Sequence, residues 1–413
     1  MMEHSHGSDY VFETLCSVDI SMAFSASHFS FKHITFLQIL PIILTIPTQH
    51  TIGCYTSIIS FGDSLADTGN YLHYTQYSHS TPPNFAFPPY GETYFHRPTG
   101  RCSDGRLIID FIAQYLGLQL VPPYLGDGEK NVITRSEENF EEGVNFAVVG
   151  ASALDAAFYK EIGLDDPCGN FSLEVQLGWF KEMLPSLCTN TSSGNCNKLL
   201  QSSLVLLGTI GGNDYDNAFM AGLSFEEVQS FVPLIVNVIA SAINELIKLG
   251  AVTLMVPGII PIGCLPVNLA YYNNSKEEEY DPLTGCLIWL NKFAEYHNEL
   301  LQIELNQIRE LHPHTTIIYA DYYNDAMRFY LSPSKFGFTE GALTACCGGG
   351  GPYNVNSTAE CGSPESTSCD NPSLYASWDG LHFTEAAYKW ISQGLLFGPY
   401  TIPPLNTSCV LLV

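Results

Sequence analysis

The segment SIISFGDSL, at Ser57–Leu65, contains a short run of apolar and β-branched residues that ends at Gly62 and leads directly into a serine. Such a run is typical of a buried strand in a parallel sheet. The glycine and the polar residues that follow it indicate a turn from a strand to a helix, and α/β domains are built from this unit. We therefore expect an α/β fold with Ser64 at the carboxyl end of its first strand.

Four further apolar runs have the same character and predict the remaining strands. These runs are Val144–Val149, Leu204–Ile210, Val252–Val256 and Thr315–Tyr319. Long helical patterns separate the later ones, so the strands should pair in parallel through right-handed crossovers. The sequence predicts a three-layer α/β domain with a central parallel sheet of about five strands.

Two helices are predicted in some detail. Ser224 and Glu227 form a capping box, after which apolar residues recur on one face until Gly250 ends the pattern. Pro233 lies early in this pattern, where proline can kink a helix. A second helical pattern covers Leu287–Leu311 and leads into the last predicted strand.

The chain begins with a stretch that we interpret as an N-terminal extension plus a signal peptide, residues 1–53, followed by a single domain, 54–413. The apolar run Ile34–Ile46 is too short to span a membrane but suits the central part of a signal peptide. The first 21 residues are polar and acidic, so Met22 is the candidate natural start. Cleavage is expected before Cys54 or a few residues earlier. No later segment has 18 uninterrupted apolar residues, and we expect no membrane insertion.

The composition narrows the choice of partners. Sixteen Lys and Arg against 42 Asp and Glu give a formal charge of −26, which repels nucleic acids and anionic membrane surfaces. Nucleic acid is therefore excluded as a partner class.

The cysteine content indicates disulfides. Thirteen cysteines are present, and removing Cys16 with the leader leaves an even number. A metal site is the alternative, but no CxxC pair or HxxxH helix is present, and the adjacent Cys346 and Cys347 suit a tetrahedral zinc poorly. Short separations favour two pairs, Cys188 with Cys196 and Cys361 with Cys369, although the sequence leaves the connectivity open.

Sequons for N-glycosylation fit the same oxidising compartment. They lie at Asn170, Asn190, Asn273, Asn356 and Asn406. We expect a secreted glycoprotein, with the vacuole as the alternative destination.

Residues that follow the strands are the candidates for chemistry, because ligands of open parallel sheets collect at the carboxyl ends of strands. Ser64 follows the first predicted strand, Gly150 the second, and Asn213 lies in the Gly-Gly-Asn-Asp run after the third. Taken singly, each has an ordinary structural explanation: Ser64 as a helix N-cap, and the other two as turn residues.

A fourth candidate is the run Trp378-Asp379-Gly380-Leu381-His382, just before a predicted helix. An aspartate three residues before a histidine on a tight turn can accept the Nδ1 proton and leave Nε2 as a base. A surface Asp–His pair is the structural alternative. Together, however, Ser64, His382, Asp379 and the two loops supply every group that acyl transfer requires. The GxSxG elbow is absent, which disfavours the α/β-hydrolase fold.

The chain resembles the plant GDSL esterase/lipases of the SGNH hydrolase superfamily, from about Ser57 to Leu395. Five ordered blocks carry the resemblance, namely FGDSLADTGN at 61–70, PPYGETYFHRPTGRCSDGR at 88–106, NFAVVGA at 145–151, GGNDY at 211–215 and SWDGLHFTEAAY at 377–388. Within the third block, Val149 stands where many relatives have glycine.

The resemblance implies a flavodoxin-like sheet, the triad Ser64, His382 and Asp379, and an oxyanion hole. The donors of that hole would be the amides of Ser64 and Gly150 and the side chain of Asn213. It also implies a secreted monomeric serine esterase that needs no cofactor or metal. Its substrates would be small-molecule esters, such as the sinapate or acetyl alkaloid esters of plants. An acyltransferase on the same scaffold and a catalytically idle binding or defence protein remain the alternatives.

Overall fold

The computed structural model describes residues 55–126, 142–164, 171–189 and 196–405. These described residues belong to one compact unit. The proposed signal peptide, its cleavage site and the sequons at Asn170, Asn190 and Asn406 lie outside the described residues.

A central sheet organises this unit. Its strands are β1 (Ser57–Phe61), β2 (Gly143–Asn145), β3 (Ser203–Leu207), β4 (Thr253–Pro257), β5 (Thr316–Ala320) and the short β10 (Thr401–Ile402). The spatial order is β2-β1-β3-β4-β5-β10, in which the first five strands are parallel and β10 is antiparallel to β5. The order 2-1-3-4-5 is that of flavodoxin. The predicted fold is confirmed, with one added edge strand.

Four shorter strands lie outside the central sheet and pair in twos. These are β6 (Gly341–Ala345) with β9 (Tyr375–Ser377), and β7 (Cys347–Gly348) with β8 (Thr367–Ser368). They build the region that leads to Asp379 and His382.

The helices of the described ranges are α1 (Asn70–Tyr77), α2 (Ile108–Tyr115), α3 (Ala156–Glu161), α4 (Leu173–Thr189), α5 (Cys196–Gln201), α6 (Gly212–Met220), α7 (Phe225–Gln229), α8 (Val232–Leu249), α9 (Pro266–Tyr271), α10 (Ile288–Leu311), α11 (Tyr322–Leu331), α12 (Pro333–Phe336) and α13 (Glu385–Phe397). They cover the sheet in two groups, one around α4, α8 and α10 and the other around α2, α11 and α13.

The two helices predicted in detail have different outcomes. The second pattern forms α10 as expected. The first was predicted as one helix and is in fact two, because α7 ends after its capping box and α8 starts at Val232. Pro233 lies in the first turn of α8, where its missing N–H has no helical partner to lose, so it starts a helix instead of kinking one. Gly250 ends α8 in the left-handed conformation, as predicted.

One stretch in the described residues, Phe225–Leu249, is long and apolar enough to cross a membrane by length and composition. It contains the break between α7 and α8, and one face of α8 is buried in the core through Ile235, Ile239 and Ile243 among others. These features are those of a core helix.

Two strands are shorter than predicted. The second ends at Asn145 and the third at Leu207, so Gly150 and Gly211 lie in the following loops and not at the strand ends themselves. Phe61 lies opposite Leu207, so the loops after β1 and β3 leave the sheet at the same level. The direction of the strand order changes between β1 and β3, and this switch point is where open α/β sheets bind ligands.

Four disulfides are present in the described residues. Cys188–Cys196 is one of the two predicted pairs. The predicted pair Cys361–Cys369 is wrong, since Cys361 bonds Cys347 and Cys369 bonds Cys346. Strands β7 and β8 run antiparallel and bring the two segments side by side, so proximity in space overrides the short separation in sequence. The fourth disulfide is Cys264–Cys286.

Candidate active site

Ser64 lies in a single turn directly after β1. Asp63 holds this turn against the end of β3, because its Oδ1 accepts hydrogen bonds from Leu65 N at 3.0 Å and Thr209 Oγ1 at 2.9 Å. The Asp63 amide in turn donates to the Thr209 carbonyl at 3.1 Å. The serine side chain therefore stands on a turn that is fixed from both sides.

Ser64 is not a helix N-cap, because α1 begins only at Asn70. Asp67 fills the space between, and its carboxylate accepts hydrogen bonds from the amides of Gly69 at 2.7 Å and Asn70 at 2.6 Å. The same carboxylate accepts from the Val149 amide at 2.9 Å. Asp67 thus stabilises the start of α1 and connects the loop that contains Ser64 to the loop that contains Gly150.

The aspartate of the second candidate turn is held by its own neighbours. Asp379 Oδ1 accepts from the amides of Leu381 at 3.0 Å and His382 at 2.8 Å, and Oδ2 lies 2.7 Å from His382 Nδ1. Burial alone would raise the pKa of Asp379, but the histidine ring and these donors outweigh it and lower the pKa to about 2. The Asp379 carboxylate is therefore ionised at neutral pH.

The two turns meet at the carboxyl edge of the sheet. His382 Nε2 lies 2.8 Å from Ser64 Oγ, although the residues are 318 positions apart. Both side chains are largely buried, with Ser64 6% and His382 7% exposed. The structure therefore brings Ser64, His382 and Asp379 into one hydrogen-bonded chain, with the order Ser, His, Asp.

Tyr90 is a fourth member of this chain that sequence analysis missed. Its hydroxyl donates to Asp379 Oδ2 at 2.9 Å, and its ring packs edge-on against Trp378. Tyr90 lies in the proline-rich segment 81–98 and within the block at 88–106, to which the sequence alone gives no catalytic role. The contact spans 289 positions, so no local pattern points to it.

The loops after β2 and β3 are fastened together. Asn213 Nδ2 donates to the Ala151 carbonyl at 2.9 Å. The buried Asp214 carboxylate accepts from the amides of Ala153 at 2.8 Å and Leu154 at 3.0 Å. These bonds place the Gly150 loop beside Asn213, and Gly150 has the positive φ of +77° that a residue with a side chain adopts only with strain.

A pocket that is partly open to solvent lies over Ser64 and His382. Its polar lining residues are Asp63, Ser64, Thr209, Asn213, Asp216 and His382. Its apolar lining residues are Leu65, Ile259, Ile260, Ile262, Leu265 and Leu381. Gly150 does not line it, so of the predicted site residues the pocket wall contains Ser64, Asn213 and His382.

Much of the apolar wall belongs to the loop after β4, which three asparagines fasten. Asn298 pairs with both backbone groups of Ile259, at 2.7 and 2.9 Å. Asn291 accepts from the Gly263 amide and Asn268 donates to the Ile262 carbonyl, each at 2.9 Å. This wall is therefore a pre-formed surface.

A hydroxyl paired with an imidazole, a carboxylate behind the imidazole and an apolar pocket in front of the hydroxyl are the parts needed for acyl transfer from an ester. The sequence matches the GDSL-like lipase/acylhydrolase family over residues 58–395. The chain belongs to the GDSL lipase/acylhydrolase family.

Curated GDSL relatives cover almost the whole chain. A GDSL esterase/lipase of Arabidopsis thaliana is 50% identical over 390 residues, which are 94% of this chain and 97% of the relative. A second from the same plant is 54% identical over 356 residues, 86% of this chain and 87% of the relative. The sinapine esterase of Brassica napus is 52% identical over 356 residues, 86% of this chain and 89% of that protein.

These findings confirm the resemblance stated from the five sequence blocks. This GDSL enzyme is a carboxylic ester hydrolase and acts on small-molecule esters.

Proposed function

We propose that this hydrolase works as a serine esterase with Ser64 as the nucleophile, His382 as the general base and Asp379 as the residue that orients the base. The observation that carries the proposal is the hydrogen-bonded chain from Ser64 Oγ through both nitrogens of His382 to Asp379 Oδ2. Asp379 keeps the proton on Nδ1, so Nε2 is left with a lone pair that faces the serine hydroxyl.

In the first half of the reaction, Ser64 Oγ attacks the carbonyl carbon of the ester while its proton passes to His382 Nε2. The tetrahedral intermediate collapses when the bond to the alcohol oxygen breaks, and His382 returns the proton to that oxygen. In the second half, His382 takes a proton from water, the hydroxide attacks the acyl-enzyme, and the serine leaves with the proton.

The negative charge on the carbonyl oxygen needs donors during both halves. We assign them to the amides of Ser64 and Gly150 and to the side-chain amide of Asn213. Asn213 uses one N–H on the Ala151 carbonyl, and its nitrogen carries a second one. The bonds that Asp67 and Asp214 make to the Gly150 loop support this assignment, because a donor contributes most when it is fixed before the charge develops.

The acyl group and the alcohol of the substrate are proposed from the pocket and the relatives. The six aliphatic side chains of the pocket suit an apolar portion of the ester. Because one relative is a sinapine esterase, we propose acyl esters of plant metabolites, including hydroxycinnamoyl esters, as substrates. The same geometry serves an acyltransferase in which an alcohol replaces water, so acceptor alcohols belong in the assay.

We also propose that the enzyme is exported, glycosylated and monomeric, with the apoplast as its destination and the vacuole as the alternative. The four disulfides support an oxidising compartment. Of the described sequons, Asn273 is exposed, whereas the Asn356 amide donates to the Gly349 carbonyl at 3.2 Å. Asn273→Gln should therefore remove a glycosidase-sensitive gel shift.

The experiment that tests the catalytic assignment uses a fluorophosphonate probe and a panel of acetyl, short-chain and hydroxycinnamoyl esters, with and without alcohol acceptors. Wild type should be labelled at Ser64, and Ser64→Ala should lose both labelling and about 10³-fold or more in kcat. Labelling of another serine would overturn the assignment. Net transfer to an added alcohol in preference to water would favour the acyltransferase.

A further inference from the structure

One acidic side chain of the ester pocket has no part in the proposed mechanism. Asp216 lies on α6, three residues after Asn213, so the two side chains share a helix face. Both line the pocket that contains Ser64 and His382. A carboxylate therefore stands in the space that the ester must enter.

Asp216 differs from the other carboxylate of this pocket. Asp63 is only 5% exposed, and its Oδ1 already accepts the two hydrogen bonds that hold the serine turn. Asp216 is partly exposed, and the nearby Asn268 side chain acts to lower the pKa of its carboxyl. Asn268 itself donates to the Ile262 carbonyl, so Asp216 lies beside the apolar wall.

Among the described residues, no lysine or arginine lines the pocket. Burial raises the pKa of Asp216 to about 7, and repulsion from Asp63 adds to the effect. Burial therefore leaves the carboxylate poorly solvated, and a cation beside it would supply a compensating charge.

We propose that Asp216 forms an anionic subsite and that the enzyme prefers esters that carry a quaternary or protonated ammonium group. This inference rests on the proposed function, because it concerns the same pocket. A quaternary ammonium group fits these surroundings, since its methyl groups can contact the aliphatic wall while its charge faces the carboxylate. The formal charge of −26 would also draw cationic esters toward the protein.

The test compares esters that differ only in charge. Butyrylcholine and 3,3-dimethylbutyl butyrate have the same shape, but nitrogen in the first is replaced by carbon in the second. Wild type should hydrolyse the charged ester with a kcat/KM about tenfold or more above that of the neutral one, and Asp216→Asn should bring this ratio close to one. A tenfold ratio corresponds to about 1.4 kcal/mol.

The cation could belong to the alcohol or to the acyl portion, and a second pair separates these sources. Ethyl 4-(trimethylammonio)butyrate and ethyl 5,5-dimethylhexanoate place the same change on the acyl side. Preference for the charged member of the first pair alone assigns the subsite to the alcohol, and preference in the second pair alone assigns it to the acyl group. Either result supports the proposal.

A matched control separates the subsite from the overall charge. Glu226→Gln removes one negative charge at an exposed position of α7 outside the pocket, and its charge preference should equal that of wild type. If Asp216→Asn fails to fold, inhibition of wild type by choline is compared with inhibition by its neutral isostere 3,3-dimethylbutanol. Stronger inhibition by choline supports recognition of a cation in the pocket, and equal inhibition overturns it.

Two outcomes overturn the inference. Equal kcat/KM for the charged and neutral members of both pairs in wild type shows that no cation is recognised. An unchanged ratio in Asp216→Asn shows that another group recognises it. In both cases the enzyme still hydrolyses esters, whereas failure of the proposed function would appear as absent Ser64 labelling and absent hydrolysis of all four esters.

Discussion

The Tyr90 hydroxyl donates to Oδ2 of Asp379 at 2.9 Å, and this oxygen also lies 2.7 Å from His382 Nδ1. Asp379 therefore has two fixed donors on each oxygen, since Leu381 N and His382 N occupy Oδ1. A carboxylate held in this way cannot rotate away from the histidine. Tyr90 is thus a positioning residue that acts on the reaction through Asp379.

We predict that Tyr90→Phe lowers kcat about tenfold with little change in KM. The substitution keeps the ring that packs against Trp378 and removes only the hydroxyl. A hydrogen bond to a charged group contributes about 1.5–3 kcal/mol, and the lower end of this range corresponds to the expected loss. Steady-state kinetics on one neutral ester measure both constants.

Two controls separate positioning from a general loosening of the loop. Tyr94→Phe removes a hydroxyl from the same segment at a side chain that is 40% exposed, and it should leave kcat unchanged. In an Asp379→Asn background, Tyr90→Phe should have no further effect on kcat, because its action passes through the lost carboxylate. Additive losses in the double variant would contradict the positioning role.

The oxyanion assignment predicts a loss confined to the transition state. Asn213→Ala should lower kcat about 10²- to 10³-fold and leave KM nearly unchanged, as expected when one donor to the oxyanion is removed. Because Asn213 also bonds the Ala151 carbonyl, the melting temperature must be measured beside the kinetics. A large rise in KM with an unchanged kcat would show that Asn213 binds the ground state.

The layout of the sheet could be predicted from the sequence because its cause is local. Each strand is a short apolar run with β-branched residues, and burial on both faces requires such runs. The five predicted parallel strands are therefore all present, with bounds that differ mainly where a loop glycine follows. The antiparallel edge strand β10 contains only Thr401 and Ile402 and carries no such pattern.

Features that depend on distant contacts could not be predicted. The disulfides of Cys346 and Cys347 follow from the pairing of β7 with β8, and short sequence separation favoured a different pair. Tyr90 reaches Asp379 only because the proline-rich segment crosses the histidine turn. Asp216 follows a motif that did draw notice, but only the folded pocket shows that it faces the ester.

The electrostatics of Asp216 predict a pH-dependent stability. Burial raises its pKa from 3.8 to about 7, so its contribution to stability is fully present below about pH 3.8 and is lost as the pH rises through about 7. Asp216→Asn removes this loss. At pH 8 we expect the melting temperature of the variant to exceed that of wild type by roughly 2–4 °C, which is the effect of about 1 kcal/mol on a large domain. Near pH 4 this difference should vanish.

Calorimetry from pH 4 to pH 8 measures this difference directly. Glu226→Gln serves as the control, because the exposed carboxylate should give the same curve as wild type. The low pKa of Asp379 acts in the opposite sense, removing stability as the pH falls toward about 2, but it is common to all three proteins. A constant offset between Asp216→Asn and wild type at every pH would show that the carboxylate is not disfavoured by burial.

Two disulfides lie beside the turn that contains Asp379 and His382. The backbone amides of Cys346 and Cys347 donate to the carbonyls of Ser377 at 3.0 Å and Trp378 at 2.7 Å, immediately before Asp379. Their disulfides with Cys369 and Cys361 therefore hold the segment on which the triad turn rests.

The double variant Cys347→Ala with Cys361→Ala should be less stable than wild type, since a native disulfide contributes roughly 2–4 kcal/mol to the free energy of unfolding. At temperatures where the variant remains folded, its kcat should be about tenfold lower than that of wild type. Cys188→Ala with Cys196→Ala is the matched control, because it removes a disulfide that joins α4 to α5 outside the pocket. This control should lower the melting temperature while kcat at 25 °C stays within about twofold of wild type, a change too small to indicate a lost contact. Equal kcat in the two double variants would mean that the Cys347–Cys361 bond stabilises the fold without positioning Asp379 and His382.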